Sequence, residues 1–268
     1  MTLPAGFPVF IVDAFAEQPY AGNPAGVVFL DAPRDDRWRQ EVAAELRHSE
    51  TAFLEPAGPA AWNLRWFTPT TEVDLCGHAT LASAHVLWEA GRLQPGLAAR
   101  FATRSGEVSA VLLPDGRIEL DLPADPVRPV ERPAGLEAAL GCAPAFVGSG
   151  AGNLLVELAS AAEVRQLAPD LAWLAANLPD GLIATARADV PGAAIVSRYF
   201  CPAAGIAEDP VTGSAHCALA PYWAPRLGAA FRALQVSERG GVLDVTLRGD
   251  RVGVAGRALT RLAGTLRA

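Results

Sequence analysis

Two spacings of apolar residues alternate along this chain. Runs rich in β-branched and aromatic residues predict strands at 7–15 (FPVFIVDAF), 25–30 (AGVVFL), 51–56 (TAFLEP) and 62–68 (WNLRWFT). A turn at Ala21–Pro24 separates the first two. Between 34 and 47 the spacing becomes helical: Trp38, Val42 and Leu46 recur at four-residue steps, and Asp35 or Asp36 supplies the cap. That is an amphipathic surface helix. The stretch 78–91 (HATLASAHVLWEAG) is small or apolar on nearly every face and ends at Gly91. A helix without a charged face for three turns is a buried one. Strands at 106–113 and 117–122 follow, joined by a Pro-Asp-Gly turn at 114–116.

Residues 123–133 carry Pro123, Pro126, Pro129 and Pro133, which reads as an extended linker and a domain boundary. Beyond it, landmarks of the first half recur in order. Gly22-Asn23 is matched by Gly152-Asn153. Arg65-Trp-Phe-Thr-Pro69 is matched by Arg198-Tyr-Phe-Cys-Pro202. Gly77-His78-Ala79 is matched by Gly213-Ser214-Ala215, again opening a helix of small residues. The separation within each pair grows slowly from the first pair to the last. Landmarks in constant order with a slow drift are the signature of a diverged duplication.

Composition narrows the chemistry. All 22 basic residues of the 268 are arginine, so Schiff-base and P-loop lysine chemistry are excluded. The net charge of −7, with no block of like charge, argues against nucleic acid or an anionic membrane as partner. Cys76, Cys142, Cys201 and Cys217 show no CxxC spacing, which fits reduced thiols in the cytoplasm. The opening Met-Thr-Leu-Pro-Ala-Gly has no basic n-region or apolar core of a secretory signal. The uncharged run Ala138–Val156 is interrupted by Gly141, Pro144 and three further glycines, so it does not read as a membrane span.

The candidate reactive groups cluster around the two small-residue helices. Backbone N–H groups at a helix start can hold an anion such as a substrate carboxylate, and Gly77 and Gly213 allow its close approach. Simple helix capping is the plainer reading of either alone. Glu50 lies at the entry to an apolar strand, where partial desolvation would raise its pKa toward that of a working acid/base; a surface glutamate capped by Ser49 is the alternative. Asp209 precedes Pro210 and also fits an Asx turn. His78, in the first turn, would be kept neutral by the helix dipole. His85, His216 and Cys217 read as packed core residues. Cys76, His78, His216 and Cys217 have zinc-ligand atom types without zinc-ligand spacing, so no metal is expected.

Four strings carry a resemblance: VDAF…GNPAGVV (12–28), HSETAFL (48–54), RWFTPTTEVDLCGHATLASAHVL (65–87) and RYFCPAAGIAEDPVTGSAHCALAPYW (198–223). Together they resemble the phenazine-biosynthesis PhzF-like proteins of the diaminopimelate epimerase-like fold, in the same order over nearly the whole chain. The resemblance implies an α+β protein of two similar domains. Each is an antiparallel sheet wrapped around a central helix, with the active site between them. Residues 1–122, completed by the C-terminal strand at about 257–268, would form the first domain. Residues 134–256 would form the second, with 123–133 as linker.

By the same resemblance, Glu50 is the family's catalytic glutamate and His78 its GH histidine. Asp209 and Ser214 are the aspartate and serine of the DPVTGSA motif. The phenazine enzyme isomerises trans-2,3-dihydro-3-hydroxyanthranilate without a cofactor by moving one proton. The implied function is therefore a cofactor-independent isomerase in a biosynthetic pathway, acting on a small carboxylate-bearing substrate. Glu50, His78 and Asp209 are its catalytic candidates; Gly77, Gly213, Ser214, Cys76 and Thr212 are its substrate-binding candidates. A homodimer is also implied.

Two departures shape the expectation. Racemase cousins set one thiol at each helix start, but here Cys76 is paired with Thr212. That set resembles the hydroxyproline dehydratases, so a lyase is the alternative, beside an epimerase or a non-catalytic ligand-binding protein. Phenazine enzymes proper carry Ala before GH and Pro after it, where this chain has Cys76 and Ala79. The resemblance thus reaches the isomerase class and stops short of the phenazine substrate.

Overall fold

The computed structural model describes residues 6–267. The opening residues read above for a secretory signal lie, apart from Gly6, outside that range. The chain divides into two compact units. One comprises the chain up to Asp121 together with the stretch from Ala255 on; the other is Leu122–Val254.

The first unit holds β1 (Phe7–Ala14), β2 (Asn23–Phe29), α1 (Asp36–Leu46), β3 (Glu50–Gly58), β4 (Ala61–Phe67), β5 (Glu72–Val73), α2 (Gly77–Glu89), β6 (Ala99–Thr103), β7 (Gly106–Leu112) and β8 (Ile118–Pro123), whose last two residues belong to the other unit. The strand Ala258–Leu266 returns to pair antiparallel with β1. Asn23 and Pro24, expected in a turn, already pair in β2 opposite Ala14 and Asp13. The reversal sits earlier, with Phe15, Tyr20 and Gly22 all at positive φ. Glycine is required at 22, since a Cβ there would meet the Ala14 carbonyl oxygen at 2.3 Å. The strand Ala99–Thr103 lies outside the expected elements.

The sheet is mixed, which corrects the antiparallel expectation. β2 pairs parallel with β3, and β4 with β6. Parallel neighbours need a crossover. The first runs through α1, the second through α2. α1 is capped by the Asp35 carboxylate on the Trp38 N–H. It covers a core of Phe7, Val28, Val42, Phe53 and Phe67, with Trp38 and Phe53 edge-on 6.0 Å apart. α2 packs against β1, β2, β3 and the strand Ala258–Leu266. Its buried hydroxyls return to its own backbone: Thr80 donates to the Cys76 carbonyl at 2.5 Å, Ser83 to that of Ala79 at 2.7 Å.

The second unit contains β9 (Arg128–Pro129), α3 (Leu136–Leu140), β10 (Phe146–Ser149), β11 (Leu154–Glu157), α4 (Ala161–Gln166), α5 (Leu171–Asn177), β12 (Leu182–Arg187), β13 (Ile195–Cys201), β14 (Ile206–Asp209), α6 (Gly213–Leu227), β15 (Ala230–Gln235), β16 (Gly241–Arg248) and β17 (Arg251–Gly256), whose end crosses into the first unit. This sheet is mixed too. β11 pairs parallel with β12 across α4 and α5, and β13 with β15 across α6. The Pro-rich stretch after Leu122 is extended and bonded into this unit. Ala124 donates to the Asp250 carbonyl at 2.8 Å, and β9 pairs with β10. α6 runs through Pro221, which has no N–H for the Cys217 carbonyl; that carbonyl accepts from the Asp125 N–H at 3.0 Å instead. Among the described residues no helix is long and apolar enough to cross a membrane.

Candidate active site

In the first unit the sequence of β3 and the start of α2 bring three predicted residues together. Glu50 opens β3 and His78 stands in the first turn of α2. Their side chains meet, His78 Nε2 to Glu50 Oε2 at 3.2 Å, with side-chain exposures of 4% and 13%. Ser49, expected only as a cap for Glu50, is part of the set. Its hydroxyl lies 3.3 Å from His78 Nε2 and donates at 3.3 Å to the Oδ1 of buried Asn23. A hydroxyl proton spent on Asn23 leaves the Ser49 oxygen as an acceptor. His78 Nε2 therefore carries the hydrogen and donates it to Ser49, and Nδ1 carries none.

Burial pushes the His78 imidazole down to about 3, with a smaller push from the charge of His48. The histidine is neutral as expected, but desolvation is the leading cause where the helix dipole was invoked. His48 itself is half-buried nearby. At neutral pH the Glu50–His78 contact is thus a close approach of a neutral ring to a carboxyl oxygen, and no ion pair.

Cys76, the residue before α2, is buried, with Sγ 3.5 Å from His78 Nδ1 and 3.9 Å from Nε2. A sulfur nearly equidistant from both ring nitrogens stands beside the ring, off both in-plane lone pairs. The donor atoms of Glu50, Cys76 and His78 lie within 4.8 Å of one another, the one such trio among the described residues. A metal ion binds imidazole along an in-plane lone pair at roughly 2.0–2.1 Å and thiolate at roughly 2.3 Å. The sideways sulfur does not meet both requirements together with the ring. His216 and Cys217 belong to the other unit's core, and burial pushes the Cys217 thiol up to about 12. All four cysteines are free.

In the second unit, Asp209 ends β14 and is buried. The Thr212 hydroxyl reaches Asp209 Oδ2 at 2.5 Å. α6 then begins at Gly213. His216 is a clamp: its Nδ1 donates to the Thr212 carbonyl at 2.8 Å, and burial pushes the ring down to about 4. Gln235, which no motif marked, makes three bonds to the segment Asp209–Thr212. Ser214 is half-buried and its hydroxyl has no hydrogen-bond partner among the described residues. Neither Cys76 nor Thr212 caps its helix with a side chain, so the first-turn N–H groups after each are not taken by one. His85, expected to be satisfied in the core, is half-buried and bonded to Thr260 at 3.2 Å.

One motif does more than the sequence suggested. Arg65 grips Glu72 with two bonds of 2.6 and 2.7 Å, which ties β4 to β5. Arg198 grips Glu208 with two bonds of 2.7 Å, which ties β13 to β14. Its remaining nitrogen donates to the Leu167 carbonyl at 2.5 Å. The arginines of RWFTP and RYFCP are thus braces inside their units.

The chain belongs to the phenazine biosynthesis-like protein family, which it matches over residues 12–264. It is 44% identical over 261 residues to a protein of Halalkalibacterium halodurans named an uncharacterized isomerase, covering 97% of this chain and 98% of that one. The crystal structure of a PhzF-family phenazine biosynthesis protein from Enterococcus faecalis superposes with a TM-score of 0.92 at 38% identity, over 98% of this chain and 100% of that one. A probable proline racemase from Agrobacterium radiobacter shares the fold at 13% identity and a TM-score of 0.66, over 97% of this chain and 93% of that one. These matches place the chain among enzymes of isomerase type.

Proposed function

We propose that this chain is a cofactor-independent isomerase that moves a proton on a small carboxylate-bearing substrate, with Glu50 as general acid/base. One observation carries the reading: the Glu50 carboxyl is largely buried and lies 3.2 Å from a neutral ring nitrogen. A neutral ring beside Glu50 does not lower its basicity as an imidazolium would. Glu50 then takes the substrate proton and returns it to another carbon. His78 steers it. In this reading the uncapped N–H groups at Gly77 hold the carboxylate in place of lysine, and Gly213 with the Ser214 hydroxyl is the corresponding candidate in the second unit. Asp209 is the second unit's candidate for binding a polar group of a substrate.

The lyase alternative needs Cys76 and Thr212 as free bases. The Thr212 hydroxyl is committed to Asp209, and Cys76 stands side-on to its histidine. Both facts favour the isomerase. The test is solvent-deuterium exchange into cyclic and amino carboxylates, followed by NMR. Glu50→Gln keeps the shape and removes the base, so exchange should fall by about 10²–10⁴-fold. Full exchange in that variant would end the role assigned to Glu50.

A duplicated ancestry accompanies the proposal. Each unit sends a parallel crossover through the helix that follows Cys76 or Thr212, and each braces the preceding strand with an arginine–glutamate fork. Such paired details support one ancestral unit copied once. Cytoplasmic location and a homodimer belong to the same proposal; size-exclusion with light scattering would test the dimer.

A further inference from the structure

Gln235 is the last residue of β15 and only 1% exposed. A buried amide must find partners, and all those seen for this side chain lie on Asp209 and Thr212. Its Oε1 accepts from the Thr212 backbone N–H at 2.8 Å. Its Nε2 donates to the Asp209 carbonyl at 2.8 Å and lies 3.1 Å from Thr212 Oγ1. A backbone N–H only donates and a carbonyl only accepts, so the amide can face only one way. An amide nitrogen has two hydrogens and accepts nothing. One hydrogen goes to the Asp209 carbonyl, the other to the Thr212 hydroxyl oxygen. That oxygen, already accepting, has its single proton left for Asp209 Oδ2 at 2.5 Å.

We propose that Gln235 is a positioning residue: it fixes the Thr212 hydroxyl as a donor to Asp209 and so sets the orientation of the Asp209 carboxylate in the site. The inference rests on the reading of Asp209 as substrate-facing. Two other side chains brace the same segment at other groups. His216 already holds the Thr212 carbonyl, and Ser237 holds that of Pro210 at 2.7 Å. Gln235 holds the Asp209 carbonyl and the Thr212 N–H, and beyond that it sets the direction of the chain of hydrogen bonds.

Isotope-edited infrared spectroscopy on ¹³C-aspartate-labelled protein reads that direction. The Asp209 carboxylate band is the difference between the wild type and Asp209→Asn. Gln235→Glu keeps an acceptor for the Thr212 N–H but loses both donors, and its carboxylate competes for the Thr212 hydroxyl. The Asp209 band should move to where Thr212→Val puts it. Combined with Thr212→Val, Gln235→Glu should add nothing, because residues of one network are not additive. If Gln235→Glu does not fold, Gln235→Met removes the same donors without charge, and the same displaced band is expected. In the exchange assay kcat should fall about tenfold to a hundredfold, the scale of a misplaced site group. An unmoved Asp209 band, or a shift that adds to that of Thr212→Val, overturns the inference. A moved band in a protein with no exchange on any carboxylate would keep the inference and remove the isomerase reading. An unmoved band in an active enzyme would do the reverse.

Discussion

The sharpest consequence of the His78 environment is its behaviour in acid. Burial holds the folded-state pKa near 3, against 6.5 for a free imidazole. At pH 5 the folded ring is then about 1% protonated, where an exposed one would be about 97%. The sign for stability follows. Between pH 6.5 and pH 3 the unfolded chain binds a proton at His78 and the folded chain does not, so stability rises with pH across that window. Above 6.5 the contribution is fully present; as pH falls it is lost, at about 1.4 kcal/mol per pH unit. Over the whole window that is about 5 kcal/mol, comparable to the net stability of many domains.

Two measurements check this. In ¹⁵N-histidine NMR, the ring that disappears in His78→Asn should stay in the neutral Nε2–H form from pH 8 down to pH 5. In urea unfolding at pH 7, 6 and 5, the wild type should lose about 2 kcal/mol more than His78→Asn over the two pH units, the larger part of it below pH 6. The comparison cancels the other histidines, which matters because His216 is also held down, to about 4, and His85 is lowered by burial. Ordinary carboxylates hardly titrate above pH 5. An imidazolium signature for His78 at pH 5.5, or equal slopes in the two proteins, would refute the assignment.

Other outcomes follow from the same structure. Glu208→Gln leaves the Arg198 guanidinium without its carboxylate in a largely buried place, and should cost about 3–5 kcal/mol in chemical denaturation. Gly22→Ala forces a Cβ against the Ala14 carbonyl at positive φ, and should lower Tm well beyond the effect of Gly192→Ala, where a Cβ meets nothing. Phe53→Ala, emptying the core under α1, should cost about 3–5 kcal/mol. Cys76→Ala should retain measurable deuterium exchange if Glu50 is the base; complete loss would restore the lyase.

How much of this was legible in the residues differs by kind. α1 could be read from Asp35 and the Trp38–Val42–Leu46 spacing because cap and stripe are local. α2 could be read as buried because a helix without charge has nowhere else to go. Strand direction could not. Whether β2 meets β3 parallel or antiparallel depends on the crossover between them, which no two-residue period records. β6 was missed because so short a strand, with Arg100 on one face, makes a weak alternation. Glu50, His78 and Asp209 stood in motifs with roles attached; Ser49 and Asn23 stood in quoted strings without one, and it is the parallel pairing of β2 with β3 that sets them beside each other. Gln235 is separated from Thr212 by the whole of α6 and looks like an ordinary strand end.

The missing lysines connect these threads. An arginine guanidinium never gives up its proton, and its five donors form a rigid fork. Here Arg65 and Arg198 use that fork on Glu72 and Glu208, where it braces short strands. Neither acts as a bare charge in the described site. The candidate groups that remain in each unit are weak and directional: a neutral imidazole in the first, hydroxyls and an amide in the second, and helix-start N–H groups in both. Their effect depends on orientation more than on charge. In such a site a residue such as Gln235, which fixes only the direction of one hydroxyl proton, has leverage that it would lack beside a strong fixed cation.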